Sequence, residues 1–249
     1  MTKNGVFCGG RCASCRVQRF ARGTAVRLNL ENLIGVSAYI CERHVQAGIV
    51  SQERAVPIRL GAQPATPRLR QYREDGLTLG YLGALSRHKG VKTLLDAFAR
   101  SGESSWRLEL AGSGPLEADV REAASSDERI TFHGQIEGAE KDRFFEQLDL
   151  VVIPSEWEEP ATFVAVESAL RGIPSLVSDR GGLVEQAETH TFPAGDAAAL
   201  LVGVRWYLDD NRLHAASERL IENHQRFLWS THVSEVEQIL DRAQRRTAR

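Results

Sequence analysis

The sequence predicts an α/β fold: a doubly wound parallel sheet preceded by a partial α/β segment. Three observations carry this. From residue 77 onward, short apolar runs alternate with segments of helical period. The runs are mainly apolar, and that at 151–153 is β-branched throughout, the composition of strands buried on both faces. Pro154, Gly172 and Pro174 punctuate the most regular stretch, where a strand or helix must stop.

In chain order, residues 1–30 lack apolar periodicity, and Gly5, Gly9, Gly10 and Gly23 suggest loop. Residues 33–37 read as a strand, 38–48 as a helix closed by Gly48, and 55–60 as a second strand. Residues 63–76 are polar, contain Pro64 and Pro67, and read as a linker. Beyond it, strands are predicted at 77–82, 106–111, 130–133, 151–153 and 175–177, with a short last one at 189–192. Helices are predicted at 91–100, 115–124 and 139–148. Phe163, Val166 and Leu170 recur at i, i+3 and i+7, so a further helix runs to Gly172. After Asp196 the chain is helical, at 196–208, 211–227 and 231–246. The organisation is therefore 1–62, a linker at 63–76, a ligand-binding domain at 77–227 and a closing helix at 228–249.

Composition sets outer limits. The 249 residues carry a net charge of −2, which argues against a general nucleic-acid binder. No apolar run reaches the length of a membrane-spanning helix. The opening MTKNGVFCGGRC lacks an apolar signal core, so the expectation is a cytoplasmic protein. Cys8, Cys12 and Cys15 have metal-ligand spacing, and Cys41 or His44 could complete a site. Without a second C-x-x-C, free thiols in a glycine-rich loop are the competing reading.

Open parallel sheets bind ligands beyond the carboxyl ends of their strands, and the candidate motifs all follow strands. After the first strand come Gly83, which permits close backbone approach, and the cations Arg87 and Lys89. Those cations could clamp a diphosphate, or simply face solvent. After the second strand comes A-G-S-G-P with Gly112, and after the third Gly134 and Gln135. After the fourth comes PSEWEEP, then Glu167 eight residues beyond Glu159. Pro160 favours an extended Glu159, and Glu167 falls roughly two turns inside the helix that follows. A helix N-terminus suits phosphate or sugar oxygens, and a carboxylate there can accept ribose hydroxyls. On spacing alone, a solvated acidic turn explains Glu156, Glu158 and Glu159 equally well.

The order of these motifs is more specific than any one of them. P-S-x-W-E-E-P, Glu167, then G-I-P-S-L-V-S-D-R-G-G-L-V-E resembles the nucleotide-sugar site of family 4 retaining glycosyltransferases, the group 1 type with a two-domain GT-B fold. The match runs in order over residues 77–186. The resemblance implies a Rossmann-like donor domain and a hexosyltransferase activity. It puts Glu159 beside the sugar at the reacting centre, as the catalytic residue, and Glu167 on the ribose. Gly83, Arg87 and Lys89 would lie on the diphosphate side, the loop with Gly112 would also line the donor site, and the base would lie near Gly134 and Gln135. Ala161, Thr162 and Phe163 would contact donor hydroxyls. Two positions depart from the family: Ala84 stands where an arginine is usual, leaving Arg87 as its stand-in, and Ala161-Thr162 replaces Phe-Gly.

No Asp-x-Asp lies at a strand end, so neither a catalytic metal nor another cofactor is expected. The expected partners are a nucleotide-diphosphate sugar and an acceptor (glycan, lipid or small molecule), with no nucleic acid. Residues 1–62 match only the tail of the family's first domain, so they read as its remnant. A homodimer or a separately encoded N-terminal half would complete it. A non-catalytic nucleotide- or partner-binding module is the alternative. A sugar-nucleotide epimerase fits the motif order less well.

Overall fold

The structure, a computed structural model, describes residues 2–3, 6–7, 32–71, 76–186 and 190–247. The three N-terminal cysteines, Cys8, Cys12 and Cys15, lie outside the described residues. The chain divides into two compact units, Met1–Pro57 and Ile58–Arg249.

In the first unit, β1 (Thr2–Lys3) and β2 (Val6–Phe7) pair antiparallel. β3 (Leu33–Gly35), α1 (Ala38–Gln46) and β4 (Ala55–Pro57) form the expected β-α-β unit, with β3 and β4 parallel. Ser37 starts α1 by accepting the Ile40 N–H on its hydroxyl. Cys41, Val50 and Ala55 make the core, and Ile34 is exposed. Strand β4 stops at Pro57 rather than reaching residue 60, because proline has no N–H for the ladder.

The second unit is built on one six-stranded parallel sheet. Its strands are β5 (Leu77–Leu82), β6 (Trp106–Ala111), β7 (Ile130–Phe132), β8 (Leu150–Ile153), β9 (Ser175–Ser178) and β10 (Thr191–Phe192). The spatial order is β10-β9-β8-β5-β6-β7. The chain runs outward from β5 to β7, then returns to lay β8 on the other side of β5. This is the doubly wound, Rossmann-like order, and its switch point lies between β5 and β8.

Both faces are covered, as the apolar strands require. On one face α2 (Val91–Arg100), α3 (Glu117–Ser126) and α6 (Ala197–Leu208) pack Leu94, Phe98, Val120, Leu200 and Val204 against Leu79, Leu108 and Val152. On the other, α4 (Gly138–Glu146) sets Phe144 and Phe145 against Val151 and Ile173. Val151 and Val152 thus serve opposite faces, the two-residue period of a strand. α5 (Phe163–Leu170) packs Val166 and Leu170 against Leu220 and Phe227.

The C-terminal helices differ from expectation at one point. Residues 211–227 are not one helix: α7 spans Arg212–Glu222 and a 3-10 turn covers His224–Phe227. Asn223 ends α7 because its side-chain amide and its backbone N–H both donate to the Arg219 carbonyl. Phe227 still reaches the core, which is why the apolar period ran on. α8 (Trp229–Thr247) closes the chain. Within the stretch expected as linker, Ala65 packs with Phe227 and the Arg68 N–H donates to the Arg171 carbonyl, whereas Gln63, Pro64, Thr66, Leu69 and Gln71 are exposed. Among the described residues, no helix is long and apolar enough to cross a membrane.

Candidate functional site

The loops that leave β5, β6 and β7 are bonded to one another in order. Gly83 N–H donates to the Ala111 carbonyl at 3.0 Å, Leu85 N–H to Ser113 at 2.9 Å and Gly112 N–H to Gly134 at 2.7 Å. Gly112 has φ 135°, and a Cβ there would sit 1.8 Å from the Gly83 carbonyl oxygen. Only glycine permits so close a meeting of two loops. Gln135 is exposed and lies 3.3 Å from the Ser113 hydroxyl and 3.3 Å from Glu137.

The acidic loop after β8 docks on the loop after β5. Glu156 and Trp157 N–H groups both donate to the His88 carbonyl, at 2.8 and 3.1 Å. Gly182 N–H donates to the Glu159 carbonyl at 2.7 Å, fastening the loop to the turn after β9. Of the three acidic residues, Glu156 and Glu158 are exposed, whereas Glu159 is only 6% exposed. Its Oε1 accepts the Lys89 ammonium at 2.5 Å and the Ser155 hydroxyl at 2.8 Å. A buried carboxylate requires such partners, since desolvation is otherwise unpaid. Its charge reaches a neighbour: burial first, then Glu159, pushes the Tyr81 phenol well above its usual range. That phenol donates to the Ala84 carbonyl at 2.8 Å.

Lys89 ends the 3-10 turn Arg87–Lys89, and Gly90 follows in the left-handed region at φ 72°. Arg87 is exposed, as is Ala84, and Arg87 forms no ion pair among the described residues. Glu167 is the fifth residue of α5, so it lies just over one turn in rather than two. Its Oε1 meets Lys141 Nζ of α4 at 2.5 Å. Thr162 stands immediately before α5, where Gln186 clamps its backbone: Thr162 N–H donates to Gln186 Oε1 at 2.8 Å, and Gln186 Nε2 to the Thr162 carbonyl at 3.1 Å. The Thr162 N–H is therefore already occupied. Ala161 is half-buried and Phe163 is 53% exposed.

The direct contacts thus join Lys89 to Glu159 and Glu167 to Lys141, as two separate ion pairs. Lys141, Ser155, Gly90 and Gln186 are residues that sequence reasoning did not single out for a role. Ser155 and Gly90 had a signal, as parts of the PSEWEEP and SRHKG loops. Lys141 and Gln186 had none, because their partners are 26 and 24 residues away.

The mycobacterial glycogen synthase (Mycobacterium tuberculosis) is 31% identical over 191 residues, covering 71% of this chain and 45% of its own length. Phosphatidyl-myo-inositol mannosyltransferase of Mycobacterium leprae is 31% identical over 150 residues, 57% of this chain and 40% of its own. The chain spans 30–45% of the length of the curated relatives it matches. Among solved structures, Anabaena HepE in complex with UDP and glucose superposes with a TM-score of 0.74 at 20% identity, over 91% of this chain and 67% of that one. Sucrose-phosphate synthase of Thermosynechococcus elongatus gives 0.71 at 22% identity, over 92% and 62%. At such identities the superpositions speak for the fold. The family model for glycosyl transferases group 1 matches residues 67–227, which hold the whole parallel sheet and both ion pairs, and the chain belongs to that family.

Proposed function

We propose that the chain binds a nucleotide-diphosphate sugar at the carboxyl edge of the sheet and is the donor-binding part of a retaining, family 4 type glycosyltransferase of hexosyl specificity. The carrying observation is the Lys89–Glu159 pair at the switch point, where the loops after β5 and β8 meet. An ammonium has three donors, so Lys89 can hold Glu159 and still offer protons to diphosphate oxygens. Arg87, exposed beside it, adds a second cation. Glu159 stands at the reacting sugar. The N-terminus of α5 adds a positive dipole to the same side of the sheet.

Glu167 takes the ribose. Lys141 engages its Oε1, and Oε2 has no hydrogen bond among the described residues, so that oxygen can accept from a hydroxyl. Replacing Glu167 with alanine is expected to weaken nucleotide binding by about 1–3 kcal/mol, the range for hydrogen bonds to a charged group. Unchanged affinity in isothermal titration would remove Glu167 from that role. Gly83, Gly112, Gly134 and Gln135 form the linked loops that receive diphosphate and base. Ala161 and Phe163 flank the sugar more naturally than Thr162, whose N–H is taken by Gln186.

The reading is tested by titrating UDP-, GDP- and ADP-sugars, with UDP-glucose first because the HepE structure holds UDP and glucose. Saturable binding by one base class, unchanged by a chelator, is the expected result. The cations already present make a divalent ion unnecessary for binding. Loss of affinity on chelation would overturn the metal-free part, and no binding at all would favour a non-catalytic partner-binding module.

Transfer by this chain alone is expected to be slow, because positioning of both reactants supplies much of the rate and the chain spans under half of its curated relatives. Robust turnover by the monomeric chain would refute this.

A further inference from the structure

The opposite edge of the sheet carries a second feature, one that donor binding does not use. There the backbones of Thr78 and Asp149 tie the start of β5 to the approach of β8: Thr78 N–H donates to Asp149 Oδ2 and Asp149 N–H to the Thr78 carbonyl, both at 2.9 Å. A cavity of about 330 Å³ opens at this junction, lined by Thr78 and Asp149 themselves, and a second of about 730 Å³ shares part of its wall. Arg68, Arg70 and Glu146 line both. The volumes are those of metabolite sites rather than of packing gaps.

Arg70 is the anomaly. It is 5% exposed, and its place is set by the fold, since its N–H donates to Ser217 Oγ at 2.9 Å and Ser217 in turn donates to the Gly172 carbonyl. Its guanidinium is poorly served. Nη2 lies 3.5 Å from the Phe145 carbonyl, and the buried Nε has no hydrogen-bond partner among the described residues. Burial first, then the like charge of Arg68, holds its pKa below the usual value, and Asp149 and Glu146 offset this only in part. A buried guanidinium without an ion pair is costly, and an adjacent arginine raises the cost.

The other charges on the larger cavity are spent. Arg171 pairs with Asp142, donates to the Glu167 carbonyl at 3.0 Å and lies over the Phe145 ring at 4.7 Å. That leaves Arg68 and Arg70 with Glu146, an excess of positive charge among the described residues of the cavity wall. In the smaller cavity Arg107 is held by the Ser104 and Trp106 carbonyls. The arginine fork matches an oxyanion in a bidentate way, which a lysine would not. We propose that this edge is an anion site in which Arg68 and Arg70 hold the phosphate group of a small molecule.

The test uses the whole chain and inorganic phosphate, with chloride balancing the ionic strength. Wild type should show a saturable rise in melting temperature, and isothermal titration should give one phosphate event. Arg68→Ala, an exposed change, should weaken that event at least tenfold. Lys89→Ala, at the other edge, should leave it in place. In chloride alone Arg70→Met should melt at or above wild type, and saturating phosphate should reverse the order. A phosphate response that is absent, unaltered in Arg68→Ala, or lost in Lys89→Ala instead would overturn the proposal. If Arg70→Met does not fold, the Arg68→Ala comparison decides alone. A hexose phosphate binding more tightly than phosphate would identify an ester as the occupant, and equal affinity would identify the free ion.

Discussion

Replacing Gly90 with alanine is expected to lower the melting temperature by about 10 °C, an effect set by backbone rather than by side-chain packing. Gly90 has φ 72°, and a Cβ there would lie 1.7 Å from the Pro154 carbonyl oxygen and 2.6 Å from its carbon. The left-handed conformation itself costs an L-residue about 1–2 kcal/mol. The clash is with main chain, so no rotamer change relieves it, and the two loops must part. A total of about 3–5 kcal/mol follows from the strain and the overpacking together. Gly102 is the internal control. Its φ is 70°, nearly the same, but nothing lies within 4 Å of its Cβ position. Gly102→Ala should therefore lose only the conformational part, about 1–2 kcal/mol. Equal losses in the two variants, measured by denaturant unfolding, would mean that the loop after β5 yields freely. Because Gly90 follows Lys89 directly, any Gly90→Ala protein that folds should also bind nucleotide sugar poorly.

The second large effect concerns the ion pair that this close approach creates. Lys89→Met leaves the Glu159 carboxylate buried with only Ser155 to serve it. Breaking a buried pair costs about 3–5 kcal/mol, and the exposure of the Lys89 side chain reduces that to about 2–3 kcal/mol. The side chains are 32% and 8% exposed respectively. Glu159→Gln keeps the shape and removes the charge, leaving a partly solvated ammonium, so it should cost less. The double variant Lys89→Met/Glu159→Gln should lose less than the sum, with a coupling of about 1–3 kcal/mol. Strict additivity in a denaturant double-mutant cycle would mean that the contact contributes nothing to stability. If Lys89 and Glu159 hold the donor as proposed, each single variant should also lose affinity in donor titration, because one cation and one acceptor would then be shared between the fold and the ligand.

Element type was legible because it is written in local period. Leu94 and Phe98 face inward at helical spacing, and Val151 and Val152 alternate faces at strand spacing. From those periods came the parallel sheet and the edge on which Gly83, Lys89, Glu159 and Glu167 all had to fall. Errors arose where a short polar group overrode the period, as at Asn223, or where a ring removed a donor, as at Pro57. Spacing also could not measure depth along α5, which begins at Phe163 and so places Glu167 one turn in.

What the chain determined by itself was therefore the layer architecture, the strand edge and the short roster of candidates. Spacing alone left the three glutamates of PSEWEEP equivalent, and the resemblance marked Glu159 among them. What only the tertiary structure shows is that Glu159 alone of the three is buried, against a lysine 70 positions earlier. The same holds for Lys141 against Glu167, and for Arg70, which no motif marks and whose buried Nε has no hydrogen-bond partner among the described residues. The physical reason is common to all three. Secondary structure depends on neighbours within a few residues, whereas burial and ion pairing depend on which distant segments the sheet order brings together.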